Sequence, residues 1–567
     1  MEECQFDAVI FGTGLVESMT AAALSKAGYK VAHIDVNPYY GGDEASLSLE
    51  EFVQWADQAS SSSSEPSSPP SRFQRVSRSP GVPPQSRQYS ICLQPAVIPS
   101  TGPLIASLVS SGCAKYSGFR LVDCVSMYDS SGRVKSVPGS KEDIFKSKEI
   151  SLIEKRRLMR FLTFAAGDLD GRQELEGKRD MPFVEFLKTT FTLSDDIANV
   201  IAYSLAYCMS TTEPTLPTLR RLQRYLRSAG RYGPSPFLIG HYGCLGDIAQ
   251  GFCRAAAVSG GVYILGRKVT NISRALPTKT EEKDGLPSSS DEKEKLAFNY
   301  DIDLEDFPDT LSCNLIISSP TYIPSALKEE TLQVPPPSRK EFDSNVSCLA
   351  RCVAILDQAL ALRTQDPQRS APERTEEDEE DSQTAETALK GVGVDTAILV
   401  FPPSSVTGGS TAHSATVLIN GEGSLSTPKD RWLVYITLPL SQQPEASISA
   451  EVLLKPYLDA LLLLSADPSH SLINPLFTTF YLENPAPPST TPGSSLHAES
   501  NSYLVPAPLP LVSLPDFPDE AALNAESTFK KAIKVLRSVS NENKEDEELD
   551  FWPPLPSDED ADDDNEW

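Results

Sequence analysis

A glycine-containing turn near the amino terminus constrains the fold of this chain more than any other feature. A predicted strand at residues 6–11 leads into Gly12-Thr13-Gly14-Leu15-Val16-Glu17, and an alanine-rich helix and a second predicted strand ending at Asp35 follow. This order is typical of a dinucleotide-binding βαβ unit, in which the glycines admit a pyrophosphate and an acid at the second strand binds a ribose. The sequence therefore predicts an α/β fold that begins with such a unit.

The third glycine of the usual pattern is replaced by Glu17. We expect an anionic side chain in the first helical turn, where a dinucleotide needs room and positive potential. Gly12, Gly14, Glu17 and Asp35 are therefore interpreted as a vestigial dinucleotide turn, and no cofactor is expected. The alternative is that Glu17 is only a first-turn acid stabilised by the helix dipole.

The formal net charge of −28 is concentrated in two segments. Residues 366–386 contain nine acids and two bases, and residues 542–566 contain thirteen acids and one lysine. The charge left for the remaining chain, about −9, is ordinary for an acidic cytosolic protein. Because no dense basic face is present, nucleic acid is not expected as a partner.

Cysteine and histidine usage argues against a metal site or a catalytic triad. The ten cysteines are dispersed, no C-x-x-C pair occurs, and the five histidines are widely spaced. We expect reduced core thiols, no metal and no catalytic residue. The amino terminus lacks a secretory leader pattern, and the longest apolar patch is far shorter than the ~20 residues that span a bilayer. The chain is expected to be cytoplasmic, with at most transient, peripheral membrane association.

The hydrophobic pattern divides the chain into a mixed-sheet domain and an inserted helical domain. Stretches rich in serine, proline or charge are expected to be insertions outside the core. The predicted division is 1–56, first βαβ unit; 57–86, Ser/Pro-rich insertion; 87–140, sheet domain; 141–228, helical domain; 229–276, sheet domain; 277–299, charged insertion; 300–365, sheet domain; 366–390, acidic insertion; 391–540, end of the sheet domain and last helix; and 541–567, acidic disordered tail.

Four blocks of the sequence resemble the Rab escort proteins, whose family also contains the Rab GDP-dissociation inhibitors and the choroideremia protein. The blocks are Gly12-Thr13-Gly14-Leu15 with Asn37-Pro38-Tyr39-Tyr40-Gly41-Gly42; Asp143-Ile144-Phe145-Lys146-Ser147-Lys148 with Glu154-Lys155-Arg156-Arg157; Gly230-Arg231-Tyr232-Gly233 with Gln250-Gly251-Phe252-Cys253-Arg254 and Gly260-Gly261-Val262-Tyr263; and Phe551-Trp552-Pro553-Pro554. The second block and the acidic tail resemble escort proteins more than dissociation inhibitors.

The resemblance implies an FAD-binding-like fold of the GDI type that serves for binding rather than catalysis. An escort protein is expected to bind newly made GDP-bound Rab GTPases, to present them to the Rab geranylgeranyltransferase heterodimer as its accessory component, and to chaperone the prenylated Rab to membranes. Two alternatives remain open at this point. One is a GDP-dissociation inhibitor that recycles prenylated Rabs, and the other is a flavin-dependent oxidase.

The same resemblance implies two sets of binding residues. A Rab-binding platform is expected at Tyr39, Tyr40, Asp247, Gln250 and Arg254, although Asp247 stands where the family usually has glutamate. The geranylgeranyl lipid is expected in a groove of the helical domain. The groove residues are Leu158, Phe161, Leu162, Phe183, Phe186 and Leu187. The same apolar residues would serve equally well as a closed core, and the platform charges as a solvated helix face.

Two further segments have a plain and a sharper interpretation. Arg220, Arg221, Arg224 and Arg227 are spaced so that they line one helical face, which is expected to be solvated or else to contact acidic lipid headgroups or an acidic partner. The acidic tail with Phe551-Trp552-Pro553-Pro554 is expected to be solubilising, or else to carry one apolar docking segment.

Overall fold

A computed structural model describes residues 4–62, 72–137, 150–274, 298–323, 327, 332–333, 346–362, 394–465, 472–485, 502–539 and 549–553. Several predicted segments therefore lie outside the described residues. They are Asp143-Ile144-Phe145-Lys146-Ser147-Lys148, most of the charged insertion, the whole acidic insertion at 366–390, and most of the tail, including Pro554.

The strands and helices alternate along the chain. The strands are β1 (Gln5–Phe11), β2 (Val31–Asp35), β3 (Ser46–Leu47), β4 (Phe73–Arg78), β5 (Ile91–Cys92), β6 (Ile98–Pro99), β7 (Phe119–Leu121), β8 (Cys124–Tyr128), β9 (Val134–Ser136), β10 (Phe237–Gly240), β11 (Val262–Leu265), β12 (Val269–Arg274), β13 (Tyr300–Leu304), β14 (Leu311–Ser318), β15 (Leu332–Gln333), β16 (Cys348–Leu356), β17 (Thr396–Phe401), β18 (Ala415–Asn420), β19 (Trp432–Leu440), β20 (Phe477–Glu483) and β21 (Tyr503–Val505). The helices are α1 (Leu15–Lys26), α2 (Leu49–Ser62), α3 (Pro103–Ser110), α4 (Leu152–Ala166), α5 (Phe183–Phe191), α6 (Asp195–Asn199), α7 (Thr215–Ser228), α8 (Leu245–Val258), α9 (Ala450–Leu462) and α10 (Phe517–Val539).

The predicted βαβ unit lies at the centre of the first of two eight-stranded sheets. The strand order is β11-β2-β1-β14-β13-β12, with β21 pairing to both β14 and β15. β1 runs parallel to β2 and to β14, and β2 runs parallel to β11. Alternate residues of β1 enter two cores, Ala8 and Ile10 packing with α1, α8 and α10, and Val9 and Phe11 packing on the opposite face. The carboxyl ends of β1 and β2 therefore open next to the glycine turn.

The second eight-stranded sheet combines five strands from residues 348–483 with β4, β8 and β9 from residues 73–136. Its order is β4-β20-β16-β19-β18-β17-β8-β9. All nine residues of β16 are buried because α9 covers one face while α2 and the helical segment cover the other. Two smaller sheets, β6-β10-β7 and β3-β5, connect the layers.

Residues 152–228, the helical segment, contain helices α4 to α7, and α4 begins where its sequence permits capping. The hydroxyl of Ser151 accepts a hydrogen bond from the Glu154 amide at 3.3 Å, which satisfies one free donor of the first turn. Inside this helical segment, α4 and α5 join through packed aromatic rings, among them Phe161 against Phe191 with centroids 5.2 Å apart. A π-helical segment, Val200–Leu205, follows α6.

The prediction of a solvated cationic face on α7 is wrong for two of its arginines. Arg221 is 3% exposed and pairs with Glu213 at 2.5 Å and with Asp516 at 3.6 Å. Arg224 pairs with Asp516 at 2.9 Å and with Asp519 at 3.2 Å. Spacing alone could not reveal this, because both aspartates lie almost 300 positions later, at the start of α10. These pairs join α7 to the helix that packs on the first sheet.

The predicted insertion at residues 57–86 is also partly structured. Its first residues complete α2, and β4 within it pairs antiparallel with β20. Phe73 is buried and stacks edge-on against Trp55 and Tyr481, so this segment does contribute to a core. The serine- and proline-rich composition masked a short amphipathic edge strand.

Within the described residues, no helix is both long and apolar enough to cross a bilayer. All ten cysteines lie in the described part of the chain as free thiols, and eight of them are buried.

The ion pairs between α7 and α10 predict a large stability effect. Replacing Asp516→Asn should lower the free energy of unfolding by ~3 kcal/mol or more, because two buried or half-buried guanidinium groups lose their shared anion. The matched control is Asp459→Asn, whose carboxylate forms an exposed pair with Lys455 and should change stability by less than ~0.5 kcal/mol. Urea unfolding followed by circular dichroism measures both; equal effects would contradict the assignment.

Candidate functional site

The glycine turn after β1 is shaped to bring the chain's own side chains against it. Gly12 has φ +91°, a conformation that favours glycine, and a Cβ there would lie 2.8 Å from the Ser319 side chain. A Cβ on Gly14 would lie 2.6 Å from Oε2 of Glu17 and 2.9 Å from Oε2 of Glu44. The space over Gly14, which a pyrophosphate would need, is therefore occupied by two carboxyl groups.

Glu44 takes the position of an anion at the amino terminus of α1. Its Oε2 accepts a hydrogen bond from the Leu15 amide at 3.3 Å. Helix amino termini bind phosphates through such free amides, so the side chain replaces the ligand group. Sequence reasoning missed Glu44, because it lies 29 residues away, at the end of the short 3-10 helix Gly42–Glu44, and carries no motif.

Asp35, the expected ribose-binding acid, is also satisfied within the chain. Its Oδ2 accepts from the Thr13 amide at 2.8 Å and from the Thr13 hydroxyl at 2.6 Å, and its Oδ1 accepts from the Asn37 amide at 2.8 Å. The residues present thus do not fit a bound dinucleotide: its pyrophosphate space is filled and its ribose acceptor is engaged.

The electrostatic part of the expectation for Glu17 needs correction. Burial raises the pKa of Glu17 to about 8, and the neighbouring Glu44 carboxyl adds to the shift. Burial likewise raises the pKa of Glu44 to about 7. Glu17 is therefore mostly protonated at neutral pH instead of anionic, and it obstructs the turn by its volume. The sequence could not show that a first-turn acid would be only 4% exposed.

His33 has the plain role expected of a strand residue. It is 1% exposed on β2, and its Nε2 forms a hydrogen bond with the Gly12 carbonyl. Burial lowers the pKa of His33 to about 4, so the ring is neutral at physiological pH. It holds the glycine turn against the strand.

Three of the five predicted platform residues lie on one exposed face of α8. Gln250 and Arg254 are exposed and Asp247 is half-buried, whereas the intervening Ile248 and Phe252 are fully buried. Spacings of three and four residues place Asp247, Gln250 and Arg254 in one row, which we call the α8 stripe. The opposite face packs into the core of the first sheet.

A neighbouring segment that the sequence did not single out holds both charged ends of the α8 stripe. The Arg254 guanidinium lies over the ring of Tyr116, 4.7 Å from its centroid. Burial raises the pKa of Asp247, and the nearby Ser117 and His241 side chains oppose this shift. Tyr116 and Ser117 precede β7 and carry no recognisable pattern, so only the fold could reveal them. The contact with Tyr116 limits the movement of the Arg254 side chain.

The structure separates the two predicted tyrosines. Tyr40 contacts Tyr263 of β11 edge-on, with centroids 5.6 Å apart, whereas Tyr39 is 37% exposed. The loop that carries them continues to Ser46, whose amide nitrogen lies 2.5 Å from the position of a Cβ on Gly246. Gly246 thereby permits the start of α8 to pack directly on this loop.

The predicted lipid residues form a closed core in this structure. Leu158, Phe161, Phe183, Phe186 and Leu187 are buried, and Leu162 is partly buried. All six contribute to one hydrophobic cluster, in which Phe161 of α4 contacts Phe183 of α5. A lipid groove would require these two helices to separate, so the groove remains a prediction.

Comparison with known proteins decides the family. Residues 1–281 match the family described as GDI: GDP dissociation inhibitor. Residues 1–281, just under half of the chain, are therefore a domain of the GDP dissociation inhibitor family. A solved member, the Rab GDI of Plasmodium falciparum, superimposes with a TM-score of 0.57 over 94% of this chain and 98% of that structure at 16% identity, which confirms the predicted fold class.

Relatives within the GDP dissociation inhibitor family are similar over about half of the chain. The "Rab proteins geranylgeranyltransferase component A" of Drosophila melanogaster is 36% identical over 47% of this chain and 54% of that protein. The "component A 1" of Caenorhabditis elegans is 30% identical over 57% of this chain and 66% of that protein. The chain thus spans between about half and two thirds of the length of these relatives. Their names support the predicted resemblance to the escort branch.

The raised pKa of Glu17 predicts the pH dependence of stability. Because the folded state holds this proton up to about pH 8 and the unfolded state only to about 4.5, stability should fall as the pH rises between these values. Glu17→Gln should remove part of this decline and stabilise the fold at pH 8 by about 1–3 kcal/mol. The control is Glu50→Gln, an exposed first-turn acid of α2. Thermal unfolding of wild type and both variants at pH 5 and pH 8 measures the change. If wild type and Glu17→Gln lose the same stability between the two pH values, Glu17 is not the titrating group.

Proposed function

We propose that this chain is a Rab escort protein. It binds newly made GDP-bound Rab GTPases and presents their carboxyl-terminal cysteines to the Rab geranylgeranyltransferase heterodimer, which performs the chemistry. The observation that carries the proposal is the similarity to relatives named component A of that transferase, combined with a family match over residues 1–281. That match includes the glycine turn, the helical segment and the α8 stripe.

A non-catalytic role agrees with the chemistry of the site. The carboxyl groups at the glycine turn exclude the pyrophosphate that an oxidase of this fold would need, so the flavin-dependent alternative is not favoured. In the described residues, no group of three or more His, Cys, Asp or Glu side chains is arranged to hold a metal ion. The chain therefore acts by binding and positioning.

The Rab-binding surface of this proposal is the α8 stripe with Tyr39 and Tyr40. Arg254 presents a planar set of donors, and its cation–π contact with Tyr116 limits the side-chain entropy lost on binding. Gln250 offers both a donor and an acceptor at the centre of the row, and Tyr39 supplies apolar area with a polar tip. Such a row suits the backbone and polar side chains of a folded partner better than a small ligand.

The geranylgeranyl lipid is assigned to the helical segment in this proposal. Each CH₂ group transferred out of water is worth ~0.8 kcal/mol, so a twenty-carbon chain left in water is strongly unfavourable. The aromatic contacts between α4 and α5 provide an apolar surface that the lipid would exploit by inserting between the helices. A lipid held in this way would be released on transient contact with a membrane, while the protein otherwise stays in the cytoplasm.

A GDP-dissociation inhibitor is the second candidate, because the family match and the Plasmodium falciparum structure carry that name. The two functions differ in one property. An inhibitor binds prenylated Rab and recycles it from membranes, whereas an escort protein also supports modification of the unprenylated Rab.

The α8 stripe predicts the effect of one substitution on prenyl transfer. Arg254→Ala should weaken binding of GDP-loaded Rab about tenfold, equivalent to ~1.4 kcal/mol, and should slow transfer of geranylgeranyl from its diphosphate to an unmodified Rab in the presence of the heterodimer. Arg133→Ala is the control, because Arg133 is exposed on the β8–β9 hairpin of the other sheet. If the heterodimer transfers geranylgeranyl to the unmodified Rab equally well without this protein, the inhibitor function is favoured. If Arg254→Ala leaves the rate of transfer unchanged, Arg254 is not part of the platform.

The lipid assignment predicts where the protein changes on binding a prenylated Rab. Hydrogen exchange should change in α4 and α5 with prenylated Rab but not with the unprenylated form, because only the lipid separates these helices. Helix α9, on the far side of the second sheet, serves as the internal control. Identical exchange in α4 and α5 with both Rab forms would contradict a lipid site there.

A further inference from the structure

A cavity of about 210 Å³ remains beside the filled glycine turn. Its walls come from the turn itself, from the loop after β2, from the segment that follows β14, and from α10. Thr321 is exposed at the rim, so the cavity can be reached from solvent. A cavity of 150 Å³ in another protein holds benzene, and this one has room for a chain of about eight non-hydrogen atoms.

The charges around the cavity are unbalanced. Four carboxyl groups line it, from Glu17, Asp35, Asp43 and Glu44, and Arg72 is the lining cation. Arg72 is already engaged with Asp43 at 3.2 Å and with Glu483, outside the cavity, at 2.9 Å. The remaining ionisable group of the wall is Tyr322, whose pKa burial raises, so that its phenol is neutral. The wall thus carries four carboxyl groups and one cation, and that cation is already paired.

An unpaired hydrogen-bond acceptor in the cavity wall is an independent observation. Asn524 of α10 lines the cavity and is 2% exposed. Its Nδ2 donates to the Ala507 carbonyl at 2.6 Å, whereas its buried Oδ1 has no hydrogen-bond partner. Buried amide oxygens are normally paired, so an acceptor left free at a cavity wall indicates a ligand with N–H or O–H groups.

The arrangement of the acids favours an extended cation over a metal ion. Among the described residues, no three carboxyl, thiol or imidazole groups converge as a metal requires. Glu17 and Glu44 meet over Gly14, whereas Asn524 approaches from α10. A ligand that satisfies both walls must carry donors at separated positions.

We propose that this cavity binds a small aliphatic diammonium ion, which donates N–H groups from one end to Asn524 Oδ1 and from the other end to the Glu17 and Glu44 carboxyl groups. The site is separate from the α8 stripe and does not depend on Rab binding. A cation there lets the carboxyl groups ionise, so its binding releases protons from the protein. An aliphatic ammonium group keeps its own proton to about pH 10, and its affinity therefore rises from pH 6 to pH 8.5.

Isothermal titration calorimetry of the full chain with 1,5-diaminopentane tests the proposal, with neutral 1,5-pentanediol as the matched probe. We expect the diamine to bind at least tenfold more tightly than the diol, to bind at least fivefold more tightly at pH 8.5 than at pH 6, and to release protons in buffers of different ionisation enthalpy. No binding of the diamine, equal affinity for the diol, or tighter binding of Ca²⁺ would overturn the proposal.

Two variants locate the site. Glu17→Gln should weaken diamine binding at least fivefold at pH 8.5 and reduce proton release, while Glu50→Gln should leave both unchanged. Asn524→Ala should weaken binding without changing proton release. If both Glu17→Gln and Asn524→Ala retain full affinity while remaining folded by circular dichroism, the cation binds elsewhere and the assignment is wrong.

Discussion

The contact between the Glu44 carboxyl and the amino terminus of α1 is the interaction on which the rest of the structure depends. It places a side chain of the protein where this type of fold otherwise places a phosphate, and it draws the loop after β2 over the glycine turn. The same loop then packs against the start of α8 near Gly246. The same loop thus covers the dinucleotide site and contacts the helix that carries the predicted partner surface.

Burial of acids at this point has a cost that the fold accommodates by protonation. Glu17 and Glu44 lie together over Gly14, and their raised pKa values mean that at least part of the pair is uncharged at neutral pH. At the junction of α7 and α10 the opposite solution is found, since charged Arg221 and Arg224 are matched by Asp516 and Asp519. Buried ionisable groups are therefore charged where groups of opposite charge pair with them, and they are protonated where no such partner is present.

The sequence could predict the elements whose causes are local. The alanine-rich helix after the glycine turn and the strand ending at Asp35 are found as predicted, as α1 and β2. The sequence did not predict contacts between residues that lie far apart along the chain. Three such contacts are the ion pair of Arg221 with Asp516, the hydrogen bond of Glu44 at the glycine turn, and the packing of Arg254 on Tyr116. In each of them one partner comes from a distant segment that carries no motif.

A crystal structure of the chain with a GDP-bound Rab GTPase tests the central claim most directly. The account predicts that the Rab contacts Gln250 and Arg254 of the α8 stripe, while Glu17 and Glu44 remain over Gly14 and the Leu15 amide stays bonded to Glu44. A Rab bound away from α8, or a dinucleotide seated at Gly14 with Glu44 displaced, would contradict it.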